Sequence, residues 1–326
     1  MHEVAEHFCN AAFESDFNWI SKIAFFQRTS TMLILVVHLM DNATPTVDVY
    51  ILLDVMQKID QVSSPAAFLT WSLDMRQHYP SEIRRKFEQY YKNYLGYFGH
   101  RSQIRYNRQF VEILDYLGDR PSARVLEVGC GCGSESLYFG LVGAEVTAID
   151  VSPKRLAVAA FRKKFVEKNL QLTANTEFKN QNILDITKKE SFDALWLEQA
   201  FHHCEPRGEV VAAIAQLLKP VGRVFISEAN PWHPLISLGL FLKRGTKTIK
   251  TYLDEDGNER QYGNERIITK SGLAKNLADV GIKEEHFRYF NVFPNWRIFD
   301  GLAQHEESYP KIACLHSHYN FVGIKS

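Results

Sequence analysis

From Ala123 onward the chain alternates strand-length apolar runs with amphipathic helical ones, and few folds satisfy that grammar. RVLEV (Arg124 to Val128), EVTAID (Glu145 to Asp150), TEFKNQNI (Thr176 to Ile183), FDALWLEQA (Phe192 to Ala200) and GRVFISEAN (Gly222 to Asn230) read as strands. SESLYFGLV, SPKRLAVAAFRKKFVEKN and GEVVAAIAQLLKP fall between them as helices. Gly143 suits the C-terminal cap of the first helix, and Ser152 with Pro153 suits the start of the second. Short links between strands and helices predict a doubly wound, mostly parallel sheet. The pattern stops after Asn230 and resumes at TKSGLAKNLADVG, followed by two more strand candidates, HFRYFNVF and HYNFVGIKS. The expected α/β fold is therefore a seven-stranded, Rossmann-like sheet with a helical N-terminal region. Residues 231–265 form an insertion that leaves from the C-terminal edge of a strand, where such sheets place ligands, and are expected to act as a lid.

The first strand runs into three alternate glycines, Gly129, Gly131 and Gly133, with a helix directly after. The spacing is G-x-G-x-G rather than the G-x-G-x-x-G of dinucleotide sites, and no Gly-Lys-Ser/Thr of a P-loop follows. Asp150 closes the next strand, 21 residues past Gly129, where a carboxylate accepts both hydroxyls of a ribose. Glu127 lies two residues before Gly129. A carboxylate there repels a pyrophosphate and suits a cationic ligand or one with an ammonium group.

VLEVGCGCGSESLYFG followed by VTAIDVSP resembles the class I S-adenosylmethionine-dependent methyltransferases, from about Tyr90 to the C-terminus. The resemblance implies that Gly129, Gly131 and Gly133 let the backbone approach the methionine and ribose parts of the cofactor. It implies that Asp150 holds the ribose hydroxyls, Val151 lies beside the adenine, and Glu127 acts near the amino group. Asn182 occupies the place where the family often has an acid facing the adenine amine, with Asp185 three residues on. The resemblance also implies that the cofactor-proximal turn at the end of the fourth strand maps to Leu197, Glu198 and Gln199. A tyrosine-rich helix over Phe87 to Gln103 implies a cap by Tyr91 or Tyr94, although Tyr90, Tyr94 and Tyr97 also have the spacing of a packing stripe.

Methyl transfer needs an aligned acceptor and, for a hydroxyl or amine, a base. EQAFHHCEP (Glu198 to Pro206) offers His202 and His203, which follow the fourth strand. Adjacent residues point in different directions, so one of the two is expected to serve. His-His-Cys without separated ligands is not the pattern of a tetrahedral metal site, and no metal is expected. Glu228, Asn230, Trp232 and His233 in EANPWHP are candidates for the substrate pocket, and Arg260 and Arg266, at YGNERIIT, for pairing an acidic substrate group. The resemblance leaves two other classes open, an S-adenosylmethionine-fold cyclase or decarboxylase, and a regulatory protein that binds the cofactor without turnover.

The 326 residues divide into an expected helical cap or dimer region, 1–115, and a methyltransferase domain, 116–326. In the first, Leu33, Val36, Val37 and Met40 and then Val49, Leu52, Leu53 and Met56 recur at helical spacing. Lys plus Arg equals Asp plus Glu at 38 each, with no basic stripe, so a small organic acceptor is expected rather than nucleic acid. The longest apolar runs, Met32 to Met40 and Pro234 to Leu242, are about half the length of a membrane span, so no stable membrane insertion is expected. Five cysteines in no regular framework and no basic-apolar leader fit a cytoplasmic protein.

Overall fold

The computed structural model describes residues 58, 60–253, 257, 259–293 and 297–326. The two helical stretches expected between Leu33 and Met56 lie outside them.

Helices α1 (Pro65–Met75), α2 (Ser81–Tyr90), α3 (Lys92–Gly96), α4 (His100–Gln109) and α5 (Val111–Gly118) precede the sheet. Ser64 starts α1 as an N-cap, its hydroxyl accepting the Ala67 N–H, with Pro65 in the first turn. The alternating part then runs β1 (Arg124–Val128), α6 (Ser134–Leu141), β2 (Glu145–Asp150), α7 (Pro153–Leu170), β3 (Thr176–Asn180), β4 (Phe192–Glu198), α8 (Arg207–Leu217) and β5 (Leu218–Ala229). Gly143, at φ 108°, follows α6 in the position expected of it. Ser152 does precede α7, but its side chain makes no cap bond; Asp150 Oδ1 instead accepts the Ser152 N–H at 2.8 Å.

The insertion carries α9 (Pro234–Arg244) and an antiparallel hairpin of β6 (Ile249–Leu253) and β7 (Glu259–Gly263). The chain ends with α10 (Lys270–Ala278), β8 (Ile282–Phe290), 3-10 turns and β9 (His318–Lys325). Thr269 caps α10 through the Gly272 N–H. The main sheet has seven strands in the order β3-β2-β1-β4-β5-β9-β8. Strands β1 to β5 pair in parallel, and β9 runs antiparallel to both of its neighbours. The strand order reverses between β1 and β4, which opens a crevice beyond their carboxyl ends.

One face of the sheet is covered by α1, α4, α5, α6 and α7, whose buried residues join Val125, Trp196 and Phe225 in one core. The other face packs against α8 and α10 through Val210, Ile214, Leu273 and Leu277. Phe110, between α4 and α5, is wholly buried. Its ring stacks 5.3 Å from Trp196 and lies 5.9 Å from Phe139, which fastens the early helices to the sheet. Phe110→Ala leaves a cavity at this junction, and urea unfolding is expected to show a loss of about 3–5 kcal/mol. A loss under about 1 kcal/mol would show that the helices are not held there.

Candidate active site

The glycine turn follows β1 at the strand-order reversal. Gly129, Gly131 and Gly133 have φ of 79°, 54° and 76°, the left-handed region that side chains resist. A Cβ on Gly129 would lie 2.9 Å from Ala200 Cβ, so the turn after β4 abuts the glycines. On Gly131 it would lie 2.1 Å from the Tyr90 hydroxyl. The aromatic ring over the loop is thus Tyr90, the last residue of α2.

Tyr91 is buried beneath, its hydroxyl 2.6 Å from Ser134 Oγ and 3.4 Å from the Arg162 guanidinium. Tyr94 packs edge-on to Phe98 and Tyr106 and accepts a bond from Arg105. Both tyrosines belong to the aromatic packing cluster.

Asp150 is buried and braces the turn: Oδ2 accepts the Gly131 N–H at 2.8 Å. Val151, beside it, is 52 % exposed. Asn182 spends its Oδ1 on the Leu184 N–H, and Asp185 pairs with Arg260 from the insertion at 3.1 Å.

Glu127 and Glu198 share the sheet face with Trp196, because Glu127 is in register with Trp196 and Glu198 lies two residues on. Glu135, from the first turn of α6, meets them there. Their hydrogen-bond donors are neutral: Ser136 for Glu127, Tyr106 at 2.6 Å for Glu135 and Gln109 for Glu198. Among the described residues none of the three forms an ion pair. Burial, then the Glu135 charge, push Glu127 well above the usual carboxylate range, and Ser136 offsets this only in part. Burial raises Glu135 against the bond from Tyr106. Burial and Glu135 push Glu198 up to about 8 against the opposing pull of Arg105 and Gln109. Glu135 and Glu198 are half-buried, and only Glu127 is sealed off.

His202 and His203 occupy a 3-10 turn, Phe201–His203, beyond β4. His202 is buried and donates Nδ1–H to Glu228 Oε2 at 2.6 Å, while its backbone N–H bonds Glu228 Oε1 at 3.2 Å. Glu228 is wholly buried near the end of β5. The other imidazole nitrogen, Nε2, lies 3.6 Å from Glu265 Oε2. Burial alone lowers the His202 pKa, but Glu228, with Glu265, outweighs it and leaves the net shift upward. His203 is exposed and gives its Nδ1–H to the Gly263 carbonyl at 2.8 Å. One ligand atom from each of His202, His203 and Glu265 falls within 4.8 Å of the others. Glu265 Oε1, however, is already held by Lys243 at 2.6 Å.

The end of the insertion returns onto this turn. Tyr262 bridges to Cys204, and a Cβ on Gly263 would lie 2.0 Å from the His202 carbonyl oxygen. Arg266 gives its N–H to that same oxygen at 3.2 Å and its guanidinium to Glu205 at 2.6 Å, so its charge is committed within the protein. Trp232 is 59 % exposed, and His233 is half-buried with no hydrogen-bond partner for Nδ1. A groove lined by Arg124, Glu145, Lys163, Thr176 and Lys179 runs along β3 and reaches Asp185.

Glu135, Gln109, Glu265 and Tyr90 were not singled out as site residues by motif, and Glu228 was expected only as a lining residue of the substrate pocket. Glu228 had a signal, as an acid ending a strand beside the glycine crevice. Glu265 had none, because it reaches the histidines from the far end of the insertion.

Residues 126–226 match the family described as methyltransferase domain. The ubiquinone biosynthesis O-methyltransferase of Xanthomonas oryzae pv. oryzae (strain PXO99A) is 31% identical over 153 residues, 43% of this chain and 62% of that protein. The protein of the same name from Xylella fastidiosa (strain M23) is 38% identical over 122 residues, 36% of this chain and 47% of that protein. The matches thus span less than two thirds of these relatives. An S-adenosylmethionine-dependent methyltransferase structure from Methanosarcina mazei is similar at 19% identity and TM-score 0.49, covering 66% of this chain and 97% of that one.

Proposed function

We propose, from the premise that the chain carries a class I S-adenosylmethionine-dependent methyltransferase domain, that it methylates an O, N or C atom of a small organic molecule in the cytoplasm. The observation that carries this reading is the convergence of Glu127, Glu135 and Glu198 beside the glycine turn with only neutral hydrogen-bond donors. Carboxylates held together without an ion-pair partner match a ligand that brings a cation. The bound cofactor supplies a methyl group on a positively charged sulfur.

The positive-φ turn leaves its backbone bare for that ligand, and Tyr90 covers it from the side of α2. Tyr91 and Tyr94 support that cover from the packing cluster beneath it. Asp150 braces the turn and keeps oxygen lone pairs for ribose hydroxyls. Val151 and Asn182 flank the adenine side, with Asn182 offering its amide N–H donors. His202 is the base in this reading: Glu228 fixes the proton on Nδ1, which leaves Nε2 to take the acceptor's proton, and Glu265 stabilises the imidazolium that results. Trp232 and His233 contribute to the acceptor pocket, and Arg266 fastens the lid 231–265 to the base.

Among the described residues no helix is long and apolar enough to cross a membrane. Cys130, Cys132, Cys204 and Cys314 are free thiols, as a reducing compartment keeps them.

The test is incubation with methyl-labelled S-adenosylmethionine and a metabolite extract. The expected result is a product carrying one added CH2 together with S-adenosylhomocysteine. Cofactor binding with no labelled product from broad extracts would favour the regulatory reading. Lys243 already pairs with Glu265, so in this reading the His202–His203–Glu265 cluster is assigned no metal and His202 is left as its working group. Dialysis against EDTA is therefore expected to leave turnover unchanged, and activity lost to EDTA and restored by zinc would contradict this.

A further inference from the structure

Glu198 differs from the other two carboxylates in its exposure and its neighbours. Glu127 is sealed in the core, whereas Glu198 is half-buried at the very end of β4, directly beside the turn that carries the histidines. The groups that face it are Glu135 on α6, Glu127 on β1, Glu228 on β5, Arg105 on α4, His202 on the turn after β4, and the Tyr90 and Tyr94 hydroxyls. Arg105 is shared: one of its nitrogens lies 3.2 Å from His318 and another bonds the Tyr94 hydroxyl at 3.3 Å. Gln109 donates to Glu198 Oε1, which orients the carboxylate without neutralising it. Acids thus outnumber cations around Glu198, and burial with Glu135 holds its proton to about 8.

Methyl transfer removes a charge from the ligand. The acceptor lone pair bonds the methyl carbon, the carbon–sulfur electron pair goes to sulfur, and the acceptor's proton leaves through His202. A sulfonium enters the site and a neutral thioether departs from it.

We propose that Glu198 is the residue that tells these two ligands apart, carrying its full negative charge only opposite the sulfonium. This rests on the cofactor reading above. When the cation is seated, Glu198 gives up its proton to solvent; once the charge has gone, it takes one back, and the product loses its ionic hold. Below the titration range of Glu198, S-adenosylmethionine must displace a proton to bind, so its affinity rises with pH by up to about tenfold per unit and then levels off. Affinity for the thioether product lacks that rise, so the preference for cofactor over product grows with pH over the same range.

Calorimetry of both ligands at neutral pH, in two buffers of different ionisation enthalpy, counts the protons directly. Wild type is expected to release about one proton more on binding S-adenosylmethionine than on binding S-adenosylhomocysteine. Glu198→Gln keeps the shape and the Gln109 contact; it is expected to bind the product with unchanged affinity and to lose both the proton difference and the pH slope. Equal proton counts for the two ligands in wild type would overturn the proposal. So would a proton difference that survives in Glu198→Gln, which would move the role to Glu127 or Glu135. Binding of neither ligand to wild type would overturn the cofactor reading itself.

Discussion

Gly131→Val is expected to weaken S-adenosylmethionine binding by more than about a hundredfold while the protein still folds. Gly131 holds φ at 54°, a backbone state that a β-branched residue resists at a cost of about 1–3 kcal/mol. Its N–H is the group that Asp150 grips, so a shift of the backbone also releases the acid that orders the turn. The new side chain would start 2.1 Å from the Tyr90 hydroxyl, and although that ring can swing aside, it then uncovers the cofactor side. Gly118→Ala serves as the control, since a Cβ at Gly118 meets nothing within 4 Å. Calorimetry on both variants, with melting curves to show folding, decides the matter. Equal affinity in Gly131→Val and wild type would remove the glycine turn from the site.

Loss of His202 is expected to lower turnover by about a hundredfold or more and to leave cofactor affinity intact. Of the adjacent histidines only His202 has a buried carboxylate on Nδ1; His203 faces outward and bonds a backbone carbonyl. His203→Ala should therefore retain most of the rate. A base works only when neutral, so the wild-type rate should rise with pH. The rise should centre above the ordinary imidazole value of about 6.5, because Glu228 and Glu265 favour the charged ring. Glu228→Gln removes that support and should move the limb to lower pH, whereas a merely structural Glu228 would leave it in place. If His202→Ala and His203→Ala both turn over at the wild-type rate on an identified acceptor, alignment alone drives the reaction.

The sheet was readable in the sequence because its strands are short, apolar and closed by glycine or acid. RVLEV and EVTAID appear in the structure with the bounds expected of them. Hairpin β6–β7 was not readable: IKTYL and ERQYG are largely solvent-facing, so neither shows an apolar alternation. The tyrosine-rich helix expected over Phe87 to Gln103 is not continuous. It breaks at Tyr91, with φ −92° and ψ 19°, and this rotates Tyr90 toward the glycines and Tyr91 into the core. Glu127 was legible from its distance to Gly129, but its companions were not. Glu135 and Glu198 meet it only because β1, β4 and α6 bring one face together, and Gln109 reaches them from α4. Arg266 looked available to an acidic substrate group, but Glu205 meets it across 61 positions of chain.

Equilibrium titration of the wild-type chain with S-adenosylmethionine and, separately, with NAD tests the central claim most directly. The glycine spacing, the Asp150 brace and the acidic cluster predict saturable binding of S-adenosylmethionine and none of NAD, whose pyrophosphate would be repelled by the half-buried Glu135 and Glu198. Binding of NAD, or equally poor binding of both, would contradict it.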